Sequence, residues 1–109
     1  MQRLLLLREL KPGTSHKFQF KRGGQNREGF VARVGRSKVV AYENVCQHIA
    51  LPLDYDDGQF FTQDGAHFIC QTHGALYEPK TGLCVRGPCE GESLKPLKVV
   101  VKDGVIWLK

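Results

Sequence analysis

Two mixed pairs of metal-binding residues constrain this chain more than any other feature: Cys46-Gln47-His48, and Cys70-Gln71-Thr72-His73 followed by Gly74. The single residue between Cys46 and His48 lets a bent loop aim both side chains at one point, and Cys70 and His73 sit on a similar turn. Neither loop has four donors of its own. The fold must therefore bring together two loops that are 21 residues apart, counted between His48 and Cys70. Thiolates are soft, anionic donors and imidazoles are neutral. Such a set can hold a two-iron cluster, one iron on Cys46 and Cys70 and the other on His48 and His73. Structural zinc also accepts two Cys and two His, but its modules ordinarily pair Cys with Cys and His with His, as C-x₂₋₄-C and H-x₃₋₅-H.

At these residues the chain resembles the Rieske family, whose pattern is C-x-H, a spacer of variable length, and then C-x-x-H-G. Every position of that pattern is filled, and the resemblance covers the whole chain. It implies one [2Fe-2S] cluster held by Cys46, His48, Cys70 and His73. Replacing two thiolates by neutral imidazoles removes two negative charges near the cluster and makes adding an electron easier. Rieske centres accordingly lie at about −150 to +300 mV, against about −400 mV for plant-type ferredoxins.

The high-potential branch of the family carries a further cysteine in each ligand loop, joined as a disulfide, where this chain has Leu51 and Thr72. That branch also has a serine that donates to a bridging sulfide and a tyrosine that donates to a cysteine sulfur. The matching residues here are Ala75 and Tyr77. Losing one donor while keeping the other implies a low-to-intermediate potential. A packed strand aromatic without a bond to sulfur is the other reading of Tyr77. Rieske proteins also have a proline-bearing loop over the cluster, and Gly87-Pro88-Cys89 falls at its place, although Gly87-Pro88 would serve equally as a turn. Cys84 and Cys89 have no following C-x₂-C to complete a plant-type centre, so they are expected to be packed thiols. His16 and His67 lie outside the pattern.

A chain of 109 residues is one domain, able to bury about 65% of its unfolded surface. The apolar run Leu4–Leu7 ends at Arg8-Glu9, too short for a signal sequence or a membrane span, so a soluble cytoplasmic protein with no membrane partner is expected. The net charge of +5 is unevenly spread, with +8 in residues 1–42, −6 in residues 43–92 and +3 in the remainder. The acidic stretch holds all four candidate ligands. The basic residues are expected on the supporting strands, with no nucleic-acid partner. Lys21-Arg22-Gly23-Gly24-Gln25-Asn26-Arg27 has no aromatic interleaved for base stacking and reads as a hairpin loop.

Short β-branched and aromatic runs predict strands at Gln2–Arg8, Lys17–Lys21, Gly29–Val34, Lys38–Tyr42, His67–Cys70, Ala75–Glu78, Leu97–Val101 and Val105–Leu108, and Asp103-Gly104 makes the clearest hairpin. No stretch has a convincing helical period. The fold class is thus all-β, an antiparallel sandwich or barrel. The resemblance places the base at about residues 1–43 and 92–109 and a small cluster-binding β subdomain at about 44–91.

The resulting expectation is a Rieske-type [2Fe-2S] ferredoxin that carries single electrons from a flavin reductase to a terminal oxygenase or similar acceptor, without substrate chemistry of its own. The resemblance also allows the small subunit of an assimilatory nitrite reductase, and the residues alone allow a zinc-stabilised binding module. The chain has no room for the second, catalytic iron domain of an oxygenase large subunit. Its partners are expected to dock at an acidic tip flanked by Asp54, Asp56, Asp57, Glu78, Glu90 and Glu92.

Overall fold

The computed structural model describes residues 1–36, 38–47 and 51–109. Among these described residues, ten strands form three antiparallel sheets. The first joins β1 (Gln2–Leu6), β10 (Val105–Leu108) and β9 (Val99–Lys102), in the order β1-β10-β9. The second joins β2 (Ser15–Arg22), β3 (Gln25–Val34), β4 (Lys38–Glu43) and β8 (Pro96–Leu97), in the order β2-β3-β4-β8. The third is small, made of β5 (Phe68–Ile69), β6 (Leu76–Tyr77) and β7 (Cys84–Arg86).

The apolar run Phe30-Val31-Ala32 on β3 needs a sheet covered on both faces, because successive side chains point to opposite sides. The packing meets that need. Phe30, Ala32, Val40 and Tyr42 enter a core that also contains Cys46, Cys70, Tyr77, Cys84 and Cys89. Val31 and Ala41 enter a separate core with Leu5, Leu10, Phe18, Ile106 and Leu108. One wall, β3 with β4, thus supports the base on one side and the candidate site on the other. Aromatic rings bind the wall to the small sheet. Phe30 stacks on Phe60 at 4.0 Å and meets Phe68 edge-on at 5.1 Å, and Phe61 lies 4.9 Å from Phe68. Such pairs contribute about 0.5–1.5 kcal/mol each beyond area burial.

Residues 44–95 leave and return at one place on the wall. Tyr42 pairs with Pro96 and Ala41 with Leu97, and the Glu43 amide donates to the Lys95 carbonyl at 3.0 Å. Asn44 fixes the departure. Its amide nitrogen donates to Glu28 Oε1 at 2.7 Å and Asp54 Oδ1 at 3.0 Å, its side-chain oxygen accepts the Leu53 amide at 2.8 Å, and its backbone amide donates to the Glu28 carbonyl at 3.0 Å.

The predicted strand Gln2–Arg8 ends early, in a 3₁₀ turn over Leu7–Glu9 held by the Glu9 carboxylate, which accepts the Leu6 amide at 2.9 Å. The run Leu97–Val101 splits: its first residue belongs to β8 on the second sheet, and Val99 begins β9 on the first. No expected strand covered Cys84–Arg86, because three residues beside Gly87-Pro88 give too little periodicity. The two hairpins stand as expected. β2 and β3 turn at Gly23-Gly24, and Asp103 and Gly104 both take positive φ, 53° and 74°, as a tight turn between β9 and β10 requires.

Asp54 departs from its expected place on an exposed tip. It is buried at 5% exposure, with Oδ2 accepting the Gly58 amide at 3.0 Å and lying 3.1 Å from Lys17 Nζ. Lys17 also pairs with Asp56 at 2.7 Å. Glu43, equally buried, pairs with Arg27 at 2.9 Å. Two charges of the acidic stretch are therefore neutralised inside the protein by cations from β2 and β3.

Burial alone would raise the Asp54 pKa, but hydrogen bonds from Asn44, Gly58 and Lys17 outweigh it and hold the carboxyl below the usual range. The Asp56 hydrogen bond, opposed by desolvation and reinforced by Asp54, holds Lys17 above its usual range. A lowered acid pKa gives stability that is complete above the unfolded value of about 3.9 and is lost as pH falls through the folded one. The raised Lys17 pKa gives stability that is complete below about 10.4 and lost only at higher pH. The urea midpoint of the wild type should hence vary with pH through this group only below about pH 4, the contribution being constant above it. Asp54→Asn should lower stability at pH 7 by about 1–3 kcal/mol, because an amide cannot accept from Asn44, Gly58 and Lys17 together, and should flatten the acid limb. Equal urea midpoints for the two proteins at pH 7 would contradict this account.

Candidate metal centre

Each ligand loop is closed by its own backbone. In the first, the Cys46 amide donates to the Leu51 carbonyl at 2.7 Å. In the second, the Cys70 amide donates to the Ala75 carbonyl at 2.9 Å and the Gly74 amide donates back to the Cys70 carbonyl at 2.7 Å. Gly74 makes that turn with φ of 74°, in the left-handed region where a side chain is unfavourable, which explains a glycine directly after His73. The loops are then pinned to each other: the Gln71 amide donates to the Leu53 carbonyl at 2.8 Å, and the Tyr55 hydroxyl donates to the Gln71 carbonyl at 2.7 Å.

The closure brings three of the four sequence-predicted donors together. Ligand atoms of Cys46, Cys70 and His73 all lie within 4.8 Å of one another. Cys46 and Cys70 are buried and His73 is half-buried. His48 lies outside the described residues. His16 is exposed on β2 and His67 is half-buried beside β5, and neither joins the donor group among the described residues.

The donor chemistry suits a soft, cationic metal group. Burial, then the neighbouring Cys46 sulfur, pushes the Cys70 thiol up, while backbone amides of His73 and Thr72 pull it down. Two adjacent buried sulfurs become thiolates together only if a cation compensates them, and the amides directed at Cys70 favour that ionised state. The residues present therefore fit an iron–sulfur group.

Tyr77 sits at the base of the site, fully buried on β6. Its hydroxyl is 3.6 Å from Cys46 Sγ and 3.2 Å from Cys89 Sγ, and it accepts the Gln47 amide at 3.1 Å. Burial, then the Cys89 and Cys46 sulfurs, pushes its pKa far up, so it keeps its proton. Ala75 is buried and has no hydroxyl to donate. The third loop abuts it: a Cβ on Gly87 would lie 2.9 Å from the Ala75 Cα, and φ there is 110°, so no other residue fits. Pro88 next to it is exposed.

Cys84 and Cys89 are buried thiols as expected, but they are not separate. Cys89 Sγ is 3.1 Å from Cys84 Sγ, which in turn donates to the Arg86 carbonyl at 3.3 Å. Burial, then Cys89, pushes the Cys84 thiol up to about 11. A C-x₄-C spacing is the signal in the sequence for this contact, but spacing alone does not distinguish two packed thiols from a pair. Tyr42 supports the same region from the wall by donating to the Pro79 carbonyl at 2.8 Å. Neither spacing nor residue type signals the positioning roles of Asn44, Lys17 and Tyr42.

Comparison with known proteins agrees with this geometry. The ferredoxin of carbazole 1,9a-dioxygenase from Nocardioides aromaticivorans IC177 is 27% identical, with 99% of this chain and 97% of that one covered and a TM-score of 0.70. A chain in the complex of reduced oxygenase and oxidised ferredoxin in carbazole 1,9a-dioxygenase is also 27% identical, with coverage of 97% and 89% and a TM-score of 0.75. The cyanobacterial plasma membrane Rieske protein PetC3 from Synechocystis PCC 6803, at 20% identity, shares the fold with a TM-score of 0.79 over 100% of this chain and 99% of its own. No curated protein sequence matches the chain. The model of the Rieske [2Fe-2S] domain matches residues 2–102, and the chain, with its buried cysteines facing a histidine across two pinned loops, belongs to that family and binds one [2Fe-2S] cluster.

Proposed function

We propose that the protein is a Rieske-type ferredoxin that receives single electrons from a flavin reductase and passes them to a terminal oxygenase, with Cys46, His48, Cys70 and His73 as the ligands of its cluster. The observation that carries this is the grouping of Cys46, Cys70 and His73 in a chain of the length of the 27% identical carbazole dioxygenase ferredoxin. We place it in the cytoplasm; no helix among the described residues is long and apolar enough to cross a membrane. A zinc module has no support from the family match.

When bound, the cluster supplies one-electron chemistry, and the protein residues set its surroundings. Cys46 and Cys70 provide anionic sulfur in a buried place, and His73, less covered, lies toward the surface. Tyr77 is kept protonated and is placed to donate to the Cys46 sulfur. Ala75 withholds a second donor. Residues 44–91 then act as the electron-carrying part and the remainder as its support.

Purified protein should contain two irons and two acid-labile sulfides per chain, held by the four ligands of a two-iron site. His73→Ala should abolish the visible absorption, and His67→Ala should leave it intact. Zinc without sulfide in anaerobically purified protein would overturn the reading.

Tyr77→Phe should lower the potential, since a hydrogen bond to sulfur favours the extra electron. A differential bond of about 1 kcal/mol corresponds to roughly 40 mV for one electron. An unchanged potential in redox titration would leave Tyr77 a packing residue only.

Docking is proposed at the ligand loops. With Asp54 internal and Asp56 paired to Lys17, the exposed charges left in this half include Asp57, Glu90 and Glu92. Changing these three to Asn or Gln should slow electron transfer to the acceptor at low salt, and the difference should shrink as the Debye length falls to about 8 Å near physiological ionic strength. Slower transfer on changing Lys21 and Arg22 instead would place docking at the opposite charge.

A further inference from the structure

The paired thiols of Cys84 and Cys89 have no part in the ligand set. The backbone closes tightly around them: the Cys84 amide donates to the Glu92 carbonyl at 2.7 Å, the Gly91 amide to the Cys84 carbonyl at 3.0 Å, and the Glu92 amide to the Cys89 carbonyl at 2.9 Å. The sulfurs meet at 3.1 Å inside this loop. A disulfide needs about 2.05 Å, so the two sulfur atoms must approach by about 1 Å, a movement within reach of side-chain rotation. The Tyr77 hydroxyl stands between this pair and Cys46. Its single proton faces two sulfurs, Cys89 at 3.2 Å and Cys46 at 3.6 Å.

We propose that Cys84 and Cys89 are a site of reversible oxidation, converted to a disulfide by a small hydroperoxide, and that the Tyr77 hydroxyl transmits the change to Cys46. Cys89, at 5% exposure against 1% for Cys84, is the less covered of the two and the one that the oxidant reaches first. The Cys89 sulfur attacks one peroxide oxygen, the O–O bond breaks, and the departing hydroxide takes the thiol proton as water, leaving a sulfenic acid. The Cys84 sulfur then attacks the sulfenic sulfur, the S–O bond breaks, and hydroxide leaves with the Cys84 proton as a second water. Two electrons pass from the two thiols to one peroxide.

In the dithiol state Cys89 donates its own hydrogen toward Cys84, so its sulfur competes with that of Cys46 for the Tyr77 proton, which the two share. A disulfide sulfur is a weaker acceptor, so oxidation ends the competition and the Tyr77 proton shifts further toward Cys46. That second step rests on the proposed role of Cys46 as a ligand. The first does not.

The test uses the iron-loaded protein and hydrogen peroxide, added anaerobically in steps up to one equivalent and followed by acid quenching, alkylation and mass spectrometry. The expected result is a loss of two hydrogens in mass, two cysteines blocked to alkylation, and a cross-linked peptide joining residues 84 and 89. Cys84→Ser and Cys89→Ser should each abolish the cross-link. Four alkylated cysteines, or a cross-link to Cys46 or Cys70, would overturn the proposal, and the wild-type peptide map decides this even if a variant folds poorly. The midpoint potential of the oxidised wild type should rise and return on reduction with a thiol, and Tyr77→Phe should show the cross-link without the shift. A cross-link with no shift in the wild type refutes the coupling. Alkylation of Cys46 in the native iron-loaded protein would instead refute its assignment as a ligand.

Discussion

The side chain of Asn44 is the joint on which the site depends. Its amide group is buried, and a buried amide left without partners would destabilise the fold by about 1–3 kcal/mol per group. Its oxygen and nitrogen are both engaged, by the Leu53 amide and by the carboxylates of Glu28 and Asp54. The effect is to tie the start of the first ligand loop to β3 and to the chain that follows that loop. Leu53, held by Asn44, then accepts the Gln71 amide and so orients the second loop. The described residues of the ligand loops have little regular structure of their own, so the precision with which Cys46 meets Cys70 is inherited from these bonds.

The wall of β3 and β4 is the second condition. Because it is covered on both faces, the base core and the site core share a backbone but few side chains. Phe30, Ala32 and Tyr42 face the sulfurs, whereas Val31 and Ala41 face Leu5 and Ile106. A change at Val31 should be felt first by the base, and one at Phe30 by the small sheet. The arrangement buries Cys46 and Cys70 without the whole protein having to be built around them.

Much of the site was legible because cysteine and histidine are rare, chemically distinct residues, and the short spacing within each pair restricts the turn that carries them. The all-β class was legible from the density of turn residues between short apolar runs. What escaped was set by contacts at long range. Asp54 reads as one more surface acid beside Asp56 and Asp57; only folding shows that Lys17 on β2 reaches it. The run from Leu97 to Val101 reads as one strand, and its division between two sheets follows from which neighbour each half meets. Cys84 and Cys89 read as leftover thiols until the turn at Gly87 brings their sulfurs together.

The excursion of residues 44–95 starts and ends at one edge of the wall, where Tyr42 pairs with Pro96. In polymer terms it is a loop whose ends are closed by the sheet itself. The entropy of closing such a loop grows only with the logarithm of its length, about 0.6 kcal/mol for each doubling. Residues added to its exposed turns, such as Asp57-Gly58 or Asp64-Gly65, should therefore have little effect on the closure. The length of the spacer between the two ligand pairs is thus set loosely by the energetics of closure, whereas the spacing within each pair is set tightly by the turn that must aim two donors at one point.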